Sequence, residues 1–262
     1  MSIENIAEKF AIIISSCDKY SDLWEPFFNL FWKNWKDCPF KIYLITNNLD
    51  YNHPKVNLLK IGEDKGWSEN LKKGLALIKE DYIFMIIEDH FLINQVDSKN
   101  ILSLAIRMYQ NNYNYLRLNP SLKPDIKIDL YIGKINQDSI YRTSIPFSFW
   151  NKNTLVDLLN DDETAWDFEI KGSERSSKYD NFFATRYHSF KFIHGVKRGI
   201  WYRNAIKQLG RMNILIDTKN RNIMRKSTYI KNRIIDYIHF ILMKFFPNKI
   251  KTIIMNKVYK NR

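Results

Sequence analysis

The chain has 262 residues, 45% of them hydrophobic, which suffices for a sizeable core and excludes disorder throughout. Its formal charge of +13 is unevenly placed: Lys219 to Arg262 holds twelve basic residues against the single acid Asp236, or +11, so the first 218 residues carry 13 − 11 = +2. A body so nearly neutral argues against nucleic-acid binding, which needs basic residues spread over a face, and two cysteines, Cys17 and Cys38, exclude a disulfide framework.

Met1 to Lys9 carries Glu4 and Glu8 and no apolar run, unlike a signal peptide, so a cytosolic setting is expected. Phe10 to Ser16 is a continuous apolar run closing in small polar residues, the pattern of a strand buried on both faces. Cys17 to Tyr20 reads as a loop. Trp24, Phe27, Phe28, Phe31, Trp32 and Trp35 then recur at helical spacing, with Ser21 or Asp22 as the N-cap and Pro26 in the first turn. Strands are expected over Phe40–Thr46 and Val56–Ile61, and a helix capped by Ser68 runs through Asn70, Leu71, Leu75 and Ile78. The order of strand, helix, strand, strand, helix, strand predicts an α/β fold, a single Rossmann-like domain with a mostly parallel central sheet.

Asp81 to Leu92 is the stretch on which the functional reading turns. A strand rich in β-branched and aromatic residues runs into Glu88, Asp89 and His90. Charge is tolerated at the carboxyl end of such a strand, which is where open α/β sheets bind ligands. Carboxylates there most usefully hold a divalent cation that neutralises a diphosphate. A helix follows over Ser98–Asn111 and a strand over Tyr113–Leu118. Polar Asn119 to Asp138 reads as a long loop near the site, Ser139–Trp150 as a strand and Asn151–Leu159 as a short helix. Asp161 to Glu169 then packs carboxylates around Trp166 and Phe168; in an extended segment Asp167 and Glu169 share one side and the rings the other, whereas a helix N-terminus capped by Thr164 is the competing arrangement.

The tail, residues 219–262, is expected to be a basic amphipathic element beyond a domain of residues 1–218. Ile230, Ile234, Ile235, Ile238, Ile241, Leu242, Phe245 and Phe246 fall on one helical face, with Lys231, Arg233 and Lys244 around them and Pro247 as the stop. That pattern suits an anionic membrane surface; packing on its own domain or in a homo-oligomer would use the same face.

Four pieces together resemble the GT-A type of nucleotide-sugar glycosyltransferase, particularly small bacterial enzymes of surface-polysaccharide biosynthesis. They are Ser15-Ser16-Cys17-Asp18 at a strand end, Gly66-Trp67-Ser68-Glu69-Asn70-Leu71 before a helix, Tyr82 to Leu92, and Ala165-Trp166-Asp167-Phe168-Glu169. The resemblance spans roughly residues 10–205. It implies a UDP-linked sugar donor by preference and a glycan or lipid-linked acceptor; together with the basic tail, this leads to the expectation of a cytoplasmic enzyme peripheral to the inner membrane. It places Glu88-Asp89-His90 at the family's Asp-x-Asp position, with Glu88 toward the ribose and Asp89 and His90 toward Mn²⁺ or Mg²⁺. His90 departs from that pattern, since imidazole suits Mg²⁺ poorly, so the resemblance is also compatible with metal-independent transfer aided by Lys65, Arg117 or Arg175.

Within the same resemblance Ser15, Ser16, Asp18, Tyr20, Trp67 and Asn70 approach the donor, and either Asp167 or Glu169 is the base of an inverting transfer, its pKa raised by the aromatic wall. His188 or His194 would be a late metal ligand, while Cys17 packs rather than reacts. Two competitors are weaker on sequence. A nucleotidyltransferase should carry a Gly-rich phosphate loop after its first strand, and Ser15 to Tyr20 has no glycine. A membrane adaptor leaves both acidic clusters without a task.

Overall fold

The computed structural model describes residues 3–245; part of the expected tail, from Phe246 onward, lies outside the described residues. The strands are β1 (Phe10–Ser15), β2 (Lys41–Thr46), β3 (Asn57–Lys60), β4 (Tyr82–Ile87), β5 (His90–Leu92), β6 (Tyr115–Arg117), β7 (Ile126–Lys127), β8 (Ile132–Lys134), β9 (Ser148–Asn151), β10 (Phe182–Thr185), β11 (Phe192–His194), β12 (Val196–Lys197) and β13 (Ile200–Trp201). The helices are α1 (Ile3–Ala7), α2 (Trp24–Asn34), α3 (Trp67–Ala76), α4 (Ser98–Gln110), α5 (Lys152–Leu158), α6 (Ala165–Asp167), α7 (Ser173–Arg175), α8 (Arg203–Arg211) and α9 (Lys226–Phe245).

Nine strands form one sheet in the order β3-β2-β1-β4-β9-β6-β10-β8-β7. Seven of them run one way and β9 and β8 run against them, so the sheet is mostly parallel, as the alternation of elements predicted. Side chains alternate across β1. Phe10, Ile12 and Ile14 join the aromatic face of α2 (Trp24, Phe27, Phe31), while Ala11 and Ile13 join Leu71 and Leu75 of α3 and Leu155 and Leu158 of α5. Helices cover both faces, which is why β1 and β4 are apolar throughout rather than alternating.

Several local expectations are corrected by tertiary contacts. Residues 18–23 form a 3₁₀ turn, and α2 starts at Trp24 with no side-chain cap, because Asp22 is held elsewhere, by Arg221. The N-cap of α3 is Gly66 (φ 99°), a left-handed position, and Ser68 is buried in the first turn. Residues 119–138 supply β8 and the edge strand β7 and do not line the cavity described below. Of the expected 139–150 strand only residues 148–150 are extended in the sheet, with Asn151 closing β9, and β10 fills a place for which the sequence predicted no strand.

Candidate active site

The carboxyl ends of β1 and β4, the loop after β3, the N-terminus of α3, the residues leading into β9, α6 and the β12–β13 hairpin enclose a cavity of about 640 Å³. Ser15, Ser16, Tyr20, Trp67, Asn70, Glu88, Asp89, His90 and Glu169 all line it. Glu88 and Asp89 therefore face the same space as Trp166 and Glu169.

A small second sheet builds the acidic centre. β5 pairs antiparallel with β11, setting His90 opposite His194. Asp89 lies between them, Oδ1 2.7 Å from His90 Nδ1 and Oδ2 3.0 Å from His194 Nε2. The imidazoles stack with centroids 4.8 Å apart. Gly195 permits this, because a Cβ there would sit 2.3 Å from Phe91 Cε2. One donor atom from each of Asp89, His90 and His194 falls within 4.8 Å of the others. Donors held at about 2.1 Å from one ion lie no more than about 4.2 Å apart, so these three side chains would draw together slightly around a divalent cation. Burial holds the pKa of His90 below its ordinary 6.5, leaving the imidazole neutral and able to ligate. Burial pushes Asp89 upward, but the two histidines outweigh it and hold the carboxyl below its usual range, hence ionised. A carboxylate with two imidazoles suits Mn²⁺ better than Mg²⁺. His188 is exposed and outside the cavity, so of the two late histidines it is His194 that reaches the centre.

Glu88 is 4% exposed and its Oε2 has no hydrogen-bond partner. Burial, then the neighbouring Asp89 charge, drive its pKa well above 4.5, which favours the protonated form. Along the opposite wall Ser16 Oγ accepts from Trp24 Nε1 at 2.8 Å. Asn70 donates to Asp64 Oδ1 at 2.8 Å, and Asp64 also receives Lys19 Nζ at 3.0 Å. Despite burial, those bonds and one from Gly66 keep Asp64 ionised. Asp64 and Lys19 were not singled out in the sequence; the Asp-Lys-Gly turn ahead of Trp67 was the available signal. Asp18 does not line the cavity. Its carboxylate accepts from the backbone of Asn47, Asn48 and Leu49, tying the end of β1 to the end of β2. Burial, then Asp64 and Glu88, lift the Cys17 thiol to about 11, so it is no nucleophile at neutral pH.

The extended reading of residues 165–169 is corrected. Residues 165–178 are one helical passage, α6 followed by a π turn, α7 and a 3₁₀ turn. Thr164 caps it with a reciprocal capping box to Asp167. Asp167 is spent there and on Lys171, and does not line the cavity. Helical spacing puts Trp166 and Glu169 on one face, the cavity face. Glu169 Oε1 accepts from Ser144 Oγ at 3.1 Å and Ile145 N at 3.0 Å, yet burial outweighs these bonds and raises its pKa above 4.5.

The expected cations are also reassigned. Arg117 is buried against Tyr115 and the carbonyls of Tyr141 and Arg142, Arg175 is paired with Glu163, and Lys65 is exposed beside Glu63 and Glu69. None of the three lines the cavity, whereas Lys19, Lys197 and Arg198 do. Arg198 and Gly199 form the two-residue tip of the β12–β13 hairpin, at φ 53° and 75°. Arg221 locks that tip to the 3₁₀ turn: it pairs with both Asp22 oxygens (3.0 and 2.8 Å), donates to the carbonyls of Gly199 and Lys19, and lies 4.5 Å above the Tyr20 ring. Residues 217–220, around the expected 218/219 boundary, are exposed, and the chain returns to the body just beyond it, where Arg221 and Met224 are buried. Breaking a buried pair leaves one charge unmatched, so Arg221→Met is expected to destabilise the fold by about 3 kcal/mol, read as a lower denaturant midpoint; an unchanged midpoint would contradict this account of the clasp.

No family model matches the sequence, and no curated protein matches it. Solved structures are similar. A mannosyltransferase, PcManGT from Pyrobaculum calidifontis in complex with GDP-Man and Mn²⁺, aligns over 73% of this chain and 58% of its own, at 10% identity and a TM-score of 0.51. S. aureus TarS 1–349 aligns over 69% and 59% at 9% identity and 0.48. A UDP-glucose pyrophosphorylase complexed with UDP-glucose aligns over 71% and 92% at 9% identity and 0.46. The chain spans about six tenths of the first two. At such identities the likeness is one of fold, and the mannosyltransferase supports the Rossmann-like GT-A arrangement.

Proposed function

We propose that this chain is a glycosyltransferase that moves a sugar from a nucleoside diphosphate donor to a hydroxyl of a glycan or lipid-linked acceptor. The observation that carries this reading is the convergence of Asp89, His90, His194 and Glu169 on one cavity at the carboxyl rim of the sheet. Asp89, His90 and His194 would hold a divalent cation, which when bound neutralises charge on the donor diphosphate. Lys19, Lys197 and Arg198 surround the same volume and add positive potential for the departing phosphates. Ser15, Ser16, Tyr20, Trp67 and Asn70 form the wall for the nucleoside, and neutral Glu88 donates to an acceptor oxygen of the donor, such as a ribose hydroxyl. Glu169 takes the proton of the attacking hydroxyl. The acceptor hydroxyl oxygen forms the new bond to the anomeric carbon as the bond to the diphosphate breaks and the nucleoside diphosphate leaves, inverting the centre, while Glu169 keeps the proton.

A ligand that binds only the folded state raises its stability by about 2.7 kcal/mol at a hundredfold excess over Kd. Thermal melting with UDP- and GDP-sugars is expected to show a rise that needs Mn²⁺ and is larger with Mn²⁺ than with Mg²⁺. No rise with any donor would overturn the proposal.

A further inference from the structure

α9 carries two apolar faces, and only one of them meets the protein. Tyr229, Asn232 and Ile235 are partly buried; Tyr229 packs on Tyr202 with centroids 6.3 Å apart, and Asn232 donates to Met224 Sδ at 3.4 Å. On the other side Ile230, Ile234, Tyr237 and Ile238 are 48%, 54%, 65% and 51% exposed. At about 100° per residue these four occupy an arc of about 100° turned away from the body. Lys231 borders one edge of that arc, and Lys226 and Arg233 border the other, all three exposed. The outer stripe is therefore not explained by packing on the chain's own domain.

We infer that α9 seats this protein on an anionic lipid surface, with Ile230, Ile234, Tyr237 and Ile238 entering the headgroup boundary and the flanking cations meeting lipid phosphates. Charge complementarity selects this occupant, because residues 219–262 carry +11 against +2 for the rest of the chain. Among the described residues no helix is long and apolar enough to cross a membrane, so α9 lies along the surface. Its first turn is tied to the cavity by two routes. Tyr229 contacts Tyr202, whose ring is 5.5 Å from that of His194, and the segment leading into α9 carries Arg221 and bonds Met224 N to Trp201 O at 2.9 Å. A lipid-docked α9 thus holds the cavity close to the headgroups; that this serves a lipid-linked acceptor rests on the transferase reading above.

The full chain is expected to co-sediment with vesicles of phosphatidylglycerol and phosphatidylcholine but not with phosphatidylcholine alone. The triple variant Ile230→Asp/Ile234→Asp/Ile238→Asp should lose at least tenfold in partitioning, and Lys231→Glu/Arg233→Glu about as much, with an unchanged melting temperature showing that both are folded. Equal sedimentation of wild type and variants, or equal binding to neutral vesicles, would overturn the inference. So would a dimer that the triple variant converts to monomer without altering vesicle binding, which would assign the stripe to a second copy. Melting of the same variants with UDP-sugar and Mn²⁺ is read separately: loss of lipid binding with the donor response intact isolates docking, and absence of a donor response in all of them, wild type included, counts against the transferase alone.

Discussion

Asp89→Asn is expected to abolish high-affinity Mn²⁺ binding and to lower sugar transfer by ~10²-fold or more, on the scale of what disturbing a metal ligand costs elsewhere. The substitution keeps the shape of the side chain but removes the only charge in the three-residue donor set, leaving two imidazoles around a neutral amide. Mn²⁺ titration followed by paramagnetic resonance reads the loss without relying on activity. Retained tight binding would place the ion elsewhere, or Glu88 in the role given to Asp89. Acidity should weaken binding in the same direction, because protons compete with the cation for its ligands. The fold itself responds too. His90 has its pKa depressed by burial, so its contribution is present above 6.5, the ordinary value, and is lost as pH falls through the lower folded value. Asp89 is likewise depressed, and its contribution disappears only well below neutrality, as pH falls from 3.8 through its folded value. Denaturant midpoints at pH 8 and pH 5.5 should differ in the wild type, and less so in His90→Gln.

The sheet was legible because β1, β2 and β4 are buried on both faces and the aromatic stripe of α2 has an unbroken helical period. The acidic centre was half legible. Asp89 and His90 announce themselves at a strand end, but His194 arrives through the β5–β11 pairing, about a hundred residues away, which no local pattern encodes. The same limit explains Asp22 and Arg221. Asp22 reads locally as an N-cap, yet a bidentate partner almost two hundred residues later claims it. Asp18 reads as a ligand residue because it follows the first strand, whereas three backbone N–H groups at the end of β2 use both of its oxygens. Residues 165–169 were misread by period: alternation of ring and carboxylate fits a strand, but Thr164 and Asp167 form a capping box, a stronger local signal for a helix start.

That correction separates the two candidate bases, and Glu169→Gln is expected to lower kcat by ~10²- to 10⁴-fold while leaving donor binding nearly unchanged. Asp167→Asn should lose little activity, because Asp167 caps a helix and lies outside the cavity; its cost is in stability, at about 1 kcal/mol. The pH profile gives a second test. Burial raises the pKa of Glu169 above 4.5, and a base acts only when deprotonated, so activity should climb with pH along a limb displaced upward from that value. The sign for stability is opposite to that of Asp89. A raised carboxyl binds its proton more tightly in the folded state, so it favours folding at low pH and loses that contribution as pH rises through the folded value. Glu169→Gln should therefore flatten the acid limb of any residual activity and stabilise the fold at neutral pH relative to wild type. A large loss of activity in Asp167→Asn with Glu169→Gln unaffected would reverse the assignment, and equal large losses in kcat from both would mean that the helical passage positions the site as a unit rather than supplying one base.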